Sequence, residues 1–472
     1  MRQRRTKIVA TIGPASAKVS TLVKMARAGM DIARLNFSHG DHDSHKELIT
    51  NIRLAAQKSG KPIAILQDLQ GPKIRLGVLP EKGVKIYKGQ LFELRTGKLD
   101  YKNEGALPVT YDNLHKDVKK GEHIVLADGL ITGRIEKVRG RSIYIKVLYD
   151  GVLFSHQSLI FPDSNIKLES FTEKDREDLL FGLKSEVDWI ALSFVNGAEV
   201  IKKVKRTISR IVAGHNLYKN APRIIAKIER RAALENFDEI LEAADAIMVA
   251  RGDLGVSVPL EEVPIIQKEI IEKCRLAGKP VIVATQMLES MINNPQATRA
   301  EISDVANAVI DHADAVMLSA ETATGEYPYL SVQTMSAVIE ETEQSRFDDI
   351  VFYKIHEKLS VIAHLSRSLH MMAEDEQIQA IVVGADNLDI LGAVTMFRPT
   401  VPIIVACKNN FEKRRVILYA GAQGVIIQPG SSATFVHRME QKLKKHKIFS
   451  KTGKAAYILA SPRNQEIKLM IR

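Results

Sequence analysis

The feature that most constrains this chain is a rhythm: short apolar runs alternate with longer amphipathic stretches, and most apolar runs end in a polar residue. The runs Lys7–Thr11, Met30–Asn36 and Pro62–Asp68 read as buried strands, with helical periodicity between them over Val19–Ala28 and Ser44–Ser59. From Gly71 to Phe161 the rhythm stops. Short alternating segments such as Val84–Tyr87, His123–Leu126 and Ser142–Leu148, parted by Gly-containing turns, predict an inserted all-β domain. The rhythm resumes after Pro162, where Thr172 followed by Asp175 predicts a capped helix start. Strand-like runs follow at Asp188–Leu192, Arg223–Ile228, Ala246–Ala250, Pro280–Ala284 and Ala315–Leu318.

Three strands before the insertion and five after it make eight, the count of a (β/α)8 TIM barrel. Past about residue 345 a second alternation sets in, with strands at Ile381–Gly384, Pro402–Ala406, Gly424–Ile427 and Ala455–Ala460, as in an open α/β domain. The expected organisation is a barrel over 1–70 and 162–344, a small β-barrel lid over 71–161, and a C-terminal α/β domain over 345–472. A length of 472 residues is too great for one core and suits such a division.

The net charge of +11 is unevenly spread, with a surplus of six positive charges in 71–161 and eight in 345–472. A basic balance can serve nucleic acid, membrane surface or small anions. The cluster Lys442, Lys444, Lys445 and Lys447 has no interleaved aromatics of the kind single-strand binders use, so a solvated helix face is expected there. No apolar run is long enough to span a membrane. The apolar stretch after the basic start is too short for a signal peptide, so a cytoplasmic location is expected. Cys274 and Cys407 lie far apart, without metal or redox spacing, and are expected as buried free thiols.

Barrel active sites are built at the carboxyl ends of the strands, and the polar residues fall there. Arg34, Asn36 and Ser38 close the second strand and Asp68 the third. Ser193 and Phe194 follow the fourth, Lys227 and Glu229 end the fifth, and Arg251, Gly252 and Asp253 the sixth. Thr285 ends the seventh, while Ser319 and Glu321 follow the eighth. Any one of these could be a helix cap or a satisfied surface group. Together they suggest one site. Glu229 and Asp253, on neighbouring strand ends, can converge on a hard cation such as Mg2+ or Mn2+. Lys227 and Glu229 are two apart and share a strand face. Arg34 offers a fork suited to phosphate, and the turn Ala250–Gly255 offers backbone N–H groups for an anion.

At these residues the chain resembles the pyruvate kinases. The segments KIVATIGP (Lys7–Pro14), RLNFSHG (Arg34–Gly40), MVARGDLG (Met248–Gly255), ATQMLESM (Ala284–Met291), TRAEISDVANAV (Thr298–Val309) and AVMLSAET (Ala315–Thr322) are similar to that family's signature blocks, in the family's order. The resemblance implies transfer of a phosphoryl group from phosphoenolpyruvate to ADP, giving pyruvate and ATP. It implies that Glu229 and Asp253 hold the divalent metal, and that the amides of Arg251, Gly252 and Asp253 hold the substrate carboxylate, beside Ser319 and Glu321. Lys227 would neutralise charge on the phosphoryl group and enolate. Thr285 would belong to the proton relay. Arg34, Asn36, Ser38, His39 and Arg75 would line the phosphate and nucleotide side. A lid closing over the nucleotide, a homotetramer, and neither nucleic acid nor membrane as partner complete the expectation.

Three departures are informative. Where much of the family has Asp-Thr-Lys-Gly-Pro-Glu, this chain has Asp68-Leu69-Gln70-Gly71-Pro72-Lys73. In relatives with Glu at the last position a monovalent cation offsets nearby negative charge. Here the ammonium of Lys73 can supply that charge, beside the oxygens of Asn36, Ser38 and Asp68 that remain, so K+ is expected to be dispensable, as in the family's K+-independent bacterial members. The far end of the lid, at His156-Gln157, lacks the paired lysines common there. The loop Ala385–Asp389 lacks the Ser/Thr- and Gly-rich character of sugar-phosphate-regulated relatives, so fructose 1,6-bisphosphate is not expected as an effector. A Mg2+-dependent C–C lyase acting on pyruvate enolate, and a barrel kept only for binding, are the competing readings. The lid, the C-terminal domain and the Lys227/Thr285 pair argue against the first. The full set of catalytic side chains argues against the second.

Overall fold

The structure is a computed structural model that describes residues 4–97, 105–126, 131–164, 166–215, 221–348, 360–427, 432–445, 453–460 and 467–472. Eight parallel strands close into a barrel: Lys7–Thr11, Met30–Asn36, Ala64–Asp68, Trp189–Leu192, Arg223–Ile228, Ala246–Ala250, Val281–Ala284 and Ala315–Leu318. The first strand pairs with both the second and the eighth, so no edge remains. Pro62 and Pro280, expected inside strands, lie just before them; neither has the N–H that a ladder needs.

Alternation along each strand sorts the side chains into two environments. Ile224, Ala226 and Ile228 face the helices outside, within the largest apolar cluster. Ile225 points inward with Val9, Ile32, Leu66, Trp189 and Met248. Moving two residues at a time up the inner face, Ile32 leads to Arg34 and Asn36, Leu66 to Asp68, Ala191 to Ser193, and Ile225 to Lys227 and Glu229. The barrel interior is therefore apolar below and charged above. That gradient positions the site.

Between the third and fourth strands the chain forms a unit with its own core, from Ile74 and Leu76 to Phe161 and Ile166. Among the described residues its strands pair as a six-stranded sheet and a separate two-stranded one. The C-terminal unit is a five-stranded sheet. The strands Ala380–Gly384, Ile403–Cys407, Ala422–Ile426 and Ala455–Ala460 run parallel, and Ile467–Ile471 adds an antiparallel edge that the apolar pattern did not reveal.

This C-terminal unit also stoppers the barrel. Ile417 and Leu418, on a short turn of 3-10 helix, belong to the same apolar cluster as the inward-facing Val9, Ile32, Leu66 and Trp189. Burying one such side chain is worth about 2 kcal/mol. Ion pairs surround the stopper: Arg414 Nε lies 2.8 Å from Asp188 and Arg398 Nη2 lies 3.0 Å from Asp314. Lys7, at the foot of the first strand, donates to the Ala422 carbonyl at 3.1 Å.

Both cysteines are buried free thiols, and burial pushes the Cys407 thiol up to about 12. The solvated lysine face holds for Lys444, which is exposed. It does not hold for Lys442, whose ammonium turns back onto the Ile426 carbonyl. Lys447 and the side chain of Lys445 lie outside the described residues. Among the described residues no helix is long and apolar enough to cross a membrane.

Candidate active site

The centre of the upper layer is Lys227. Its Nζ donates to Ser193 Oγ at 2.8 Å and lies 2.8 Å from Glu229 Oε1 and 3.3 Å from Asp68 Oδ1. Burial works to lower the pKa of this amine, but Asp68 and Glu229 outweigh burial and hold it above the ordinary lysine value. Lys227 is a fixed cation and no base at neutral pH. Burial likewise works to raise the Asp68 carboxyl. Lys227 and Arg34 reverse this and keep it below the usual carboxylate range.

Arg34 completes the pair from the second strand. Its Nε contacts Asp68 Oδ2 at 2.8 Å and its Nη1 donates to Thr11 Oγ1 at 2.9 Å. Thr11 and Arg34 are register partners, which explains their meeting. Nη2 is left with no partner among the described residues, available to an anion. The sequence reading placed Asp68 among the oxygens of a cation cage. In the structure it is also the counter-ion of both Lys227 and Arg34.

Glu229 is almost fully buried. Besides Lys227, it accepts a 2.6 Å bond from the Phe194 amide through Oε2. Phe194 has φ of +57°, a left-handed conformation that a bulky residue adopts only when its surroundings enforce it. An ionised carboxylate oxygen offers two lone-pair sites, so each Glu229 oxygen retains one. Asp253, in the first turn of the helix Arg251–Ser257, is close enough to support the charge of both Lys227 and Arg230. Among the described residues no group of three or more His, Cys, Asp or Glu converges as a metal cage. A carboxylate pair with substrate oxygens or water completing the shell is what a hard divalent cation accepts, so the residues present fit one.

Thr285 sits where the seventh strand ends. Thr285 and Gln286 both have positive φ, +70° and +53°. The Arg251 side chain holds them there. Its Nη2 donates to the carbonyls of Thr285 at 2.7 Å and Gln286 at 3.1 Å, while Nη1 and Nη2 grip Asp304 at 2.8 and 2.7 Å. Thr285 Oγ1 accepts from the Gly252 amide at 2.8 Å and donates to the Ala284 carbonyl at 2.6 Å. Reading the sequence alone identified the Arg251 amide and missed its guanidinium clamp. Asp304 lies two turns into a different block, and no local pattern joins it to Arg251.

At the eighth strand, Glu321 spends both oxygens on backbone amides, those of Leu288 at 3.1 Å and Ser319 at 2.6 Å. It thereby braces two neighbouring loops. Ser319 Oγ is buried and has no partner among the described residues.

On the opposite side, Asn36 Oδ1 accepts from the Ser38 amide at 3.1 Å. His39 is exposed and Lys73 half-buried. Although the residue is exposed overall, partial desolvation of the His39 imidazole, and then the charges of Arg75, Lys73 and Arg34, hold it below its ordinary value. Lys73 Nζ has no partner among the described residues. Arg75 is tied by Nη1 to the His156 carbonyl at 2.9 Å, so the divergent His156-Gln157 turn supports it through backbone and not through a side chain.

Comparison with known proteins agrees with this geometry. The family model for the pyruvate kinase barrel domain matches residues 3–332. The pyruvate kinase of Geobacillus stearothermophilus is 43% identical over 423 residues, 89% of this chain and 71% of that protein. The pyruvate kinase of Agrobacterium vitis is 37% identical over 98% of this chain and 95% of that protein. Among solved structures, a pyruvate kinase from Cryptosporidium parvum superposes with a TM-score of 0.91 at 32% identity, covering 99% of this chain and 96% of the other. The family model and these relatives together cover almost the whole chain, and the chain belongs to the pyruvate kinase family of phosphotransferases.

Proposed function

We infer that this protein transfers the phosphoryl group of phosphoenolpyruvate to ADP, yielding pyruvate and ATP. The observation that carries the reading is the Lys227 ammonium, locked in its charged form beside Ser193, Glu229 and Asp68 at the strand ends. A fixed, desolvated cation offsets charge that develops on the phosphoryl and enolate oxygens without reorganising as the reaction proceeds. Arg34, with Nη2 still unpartnered, orients the phosphate. The amides of Arg251, Gly252 and Asp253, with the Ser319 hydroxyl, receive the substrate carboxylate. Glu321 acts beside them by holding the Ser319 and Leu288 amides in place.

Because Lys227 keeps its proton, the enolate carbon takes its proton from elsewhere. The Thr285 hydroxyl, clamped in place by Arg251, is the group to pass one on from water. Members of the family use a divalent metal. In this chain Glu229 and Asp253 would hold it, as Mg2+ or Mn2+, and it would offset charge shared by the substrate and the transferred group.

On the nucleotide side Asn36, His39 and Arg75 line the space, and the inserted unit, with its surplus of positive charge, closes over the polyphosphate. Lys73 serves as the permanent monovalent charge, with Asn36, Ser38 and Asp68 beside it, so K+ is not required. The loop Ala385–Asp389 carries Asp386 and Asp389, which repel a sugar phosphate, so fructose 1,6-bisphosphate has little effect there. A cytoplasmic homotetramer, by analogy with the family, completes the reading.

The test is a coupled assay of pyruvate formation from phosphoenolpyruvate and ADP with Mg2+, run without K+ and again in about 100 mM K+ at matched ionic strength. Turnover that needs the divalent metal and ignores K+ is the expected result. No pyruvate would overturn the activity, and strong activation by K+ would overturn the role of Lys73.

A further inference from the structure

The helix Glu173–Lys184 begins where the lid rejoins the barrel, and its first turn holds together parts that the reaction needs aligned. The Asp175 side chain is 1% exposed, and both of its oxygens are engaged. Oδ1 accepts from the Gly71 amide at 3.0 Å, at the point where the chain leaves the barrel for the lid. Oδ2 accepts from the Thr172 amide at 2.9 Å and the Thr172 hydroxyl at 2.6 Å, where the chain returns. One buried carboxylate, 104 residues from Gly71 in sequence, therefore ties the outgoing and returning hinges to each other.

Gly71 is also packed against the catalytic layer. It has φ of +66°, and a Cβ there would lie 3.0 Å from Ser193 Cβ and 3.1 Å from the Phe194 ring. Ser193 accepts from Lys227, and the Phe194 amide donates to Glu229. The neighbouring Lys174 Nζ donates to the Phe37 carbonyl at 2.8 Å, in the loop that carries Asn36 and Ser38. A helix cap alone needs only the Thr172–Asp175 exchange. The bond to Gly71 adds nothing to the cap, and it reaches the lid.

We propose that Asp175 is a positioning residue that locks both lid hinges to the barrel wall at the register in which the lid meets the nucleotide. This rests on the reading that the lid closes over ADP. Asp175 touches no reacting atom. It acts by fixing where Gly71 and Thr172 pivot, beside Ser193 and Phe194. Loss of the tie lets the hinges shift independently, so closure becomes less frequent while the phosphoenolpyruvate site on the barrel stays formed.

The test compares Asp175→Asn with Ser360→Ala in the full-length enzyme. Ser360 caps a helix of the C-terminal unit, accepting from the Ala363 amide at 3.2 Å, and controls for simple loss of a cap. Asp175→Asn keeps one acceptor but loses the charge that serves three donors, and kcat/KM for ADP is expected to fall about tenfold. Phosphoenolpyruvate affinity, measured by calorimetry with Mg2+ and no ADP, should change less than about twofold, on the scale of distant, uncoupled sites. Ser360→Ala should lower Tm with neither effect. If Asp175→Asn lowers Tm but leaves kcat/KM for ADP intact, the residue is a cap and nothing more. If phosphoenolpyruvate binding falls in step, Asp175 supports the whole site and not the hinge. Either result overturns the proposal. Should Asp175→Asn not fold, Asp175→Glu, which keeps the charge but displaces both oxygens, carries the same expectations. A wild-type enzyme inactive with phosphoenolpyruvate and ADP would refute the proposed reaction, a failure distinct from these.

Discussion

At the scale of single residues, charge placement decides what each group can do. Lys227 and Asp68 hold one another in charged form through the working pH range. The lysine's contribution to stability is fully present below its unfolded value and is lost only as pH rises through its raised folded one. The Asp68 contribution is present above its unfolded value and is lost only as pH falls through its lowered folded one. His39 behaves differently. Its folded pKa lies below the unfolded value of about 6.5, so the neutral form persists into mildly acid solution and protonating it costs stability as pH falls. Lys73 is one cause of that depression. In Lys73→Met, NMR titration should find the His39 pKa moved upward, toward its ordinary value. An unchanged titration would place Lys73 too far away to act as the local cation. The strand-end placement of Arg34, Asp68, Lys227 and Glu229 was legible from the sequence, because each follows a short apolar run. The partners Asp304 for Arg251 and Asp68 for Lys227 were not, because each pairing is made only when the barrel closes.

At the scale of elements, strand ends held in left-handed backbone are the recurrent device. Phe194, Thr285 and Gln286 all follow barrel strands, and all have positive φ. Such positions cost about 1–3 kcal/mol each and persist only where surrounding contacts enforce them. For Thr285 and Gln286 the enforcing contact is Arg251, itself braced by Asp304. Asp304→Asn should therefore lower kcat about tenfold with little change in KM for phosphoenolpyruvate, because it loosens the Thr285 hydroxyl and leaves the amides of 251–253 in place. Steady-state kinetics reads this directly, and a change confined to KM would show that the clamp serves binding. The helices and barrel strands were foreseeable because their apolar period and caps are local. Thr172 and Asp175 form the expected capping box. The edge strand Ile467–Ile471 was not foreseeable. Its five residues, Ile-Lys-Leu-Met-Ile, are too short and too little buried to announce a strand until the pairing with Ala455–Ala460 is known.

At the scale of the whole molecule, the barrel is open to chemistry at one end and stoppered at the other by the C-terminal unit. Trp189, the only tryptophan in the chain, is fully buried in the cluster that contains Leu418. Leu418→Ala should cost about 2–5 kcal/mol, seen as a lower Tm. It should also shift tryptophan emission to the red as water reaches the barrel foot. Unchanged stability and emission would mean that the barrel closes without the stopper. No sequence periodicity announced this arrangement, because Ile417 and Leu418 read as ordinary apolar residues of their own domain. The central claim is narrower: a fixed lysine cation at the strand ends drives phosphoryl transfer. Its most direct test is the rate of pyruvate formation from phosphoenolpyruvate and ADP by Lys227→Met, at saturating Mg2+ and with folding confirmed by circular dichroism. A loss of about a thousandfold is the predicted result. A folded Lys227→Met enzyme working at the wild-type rate would contradict it.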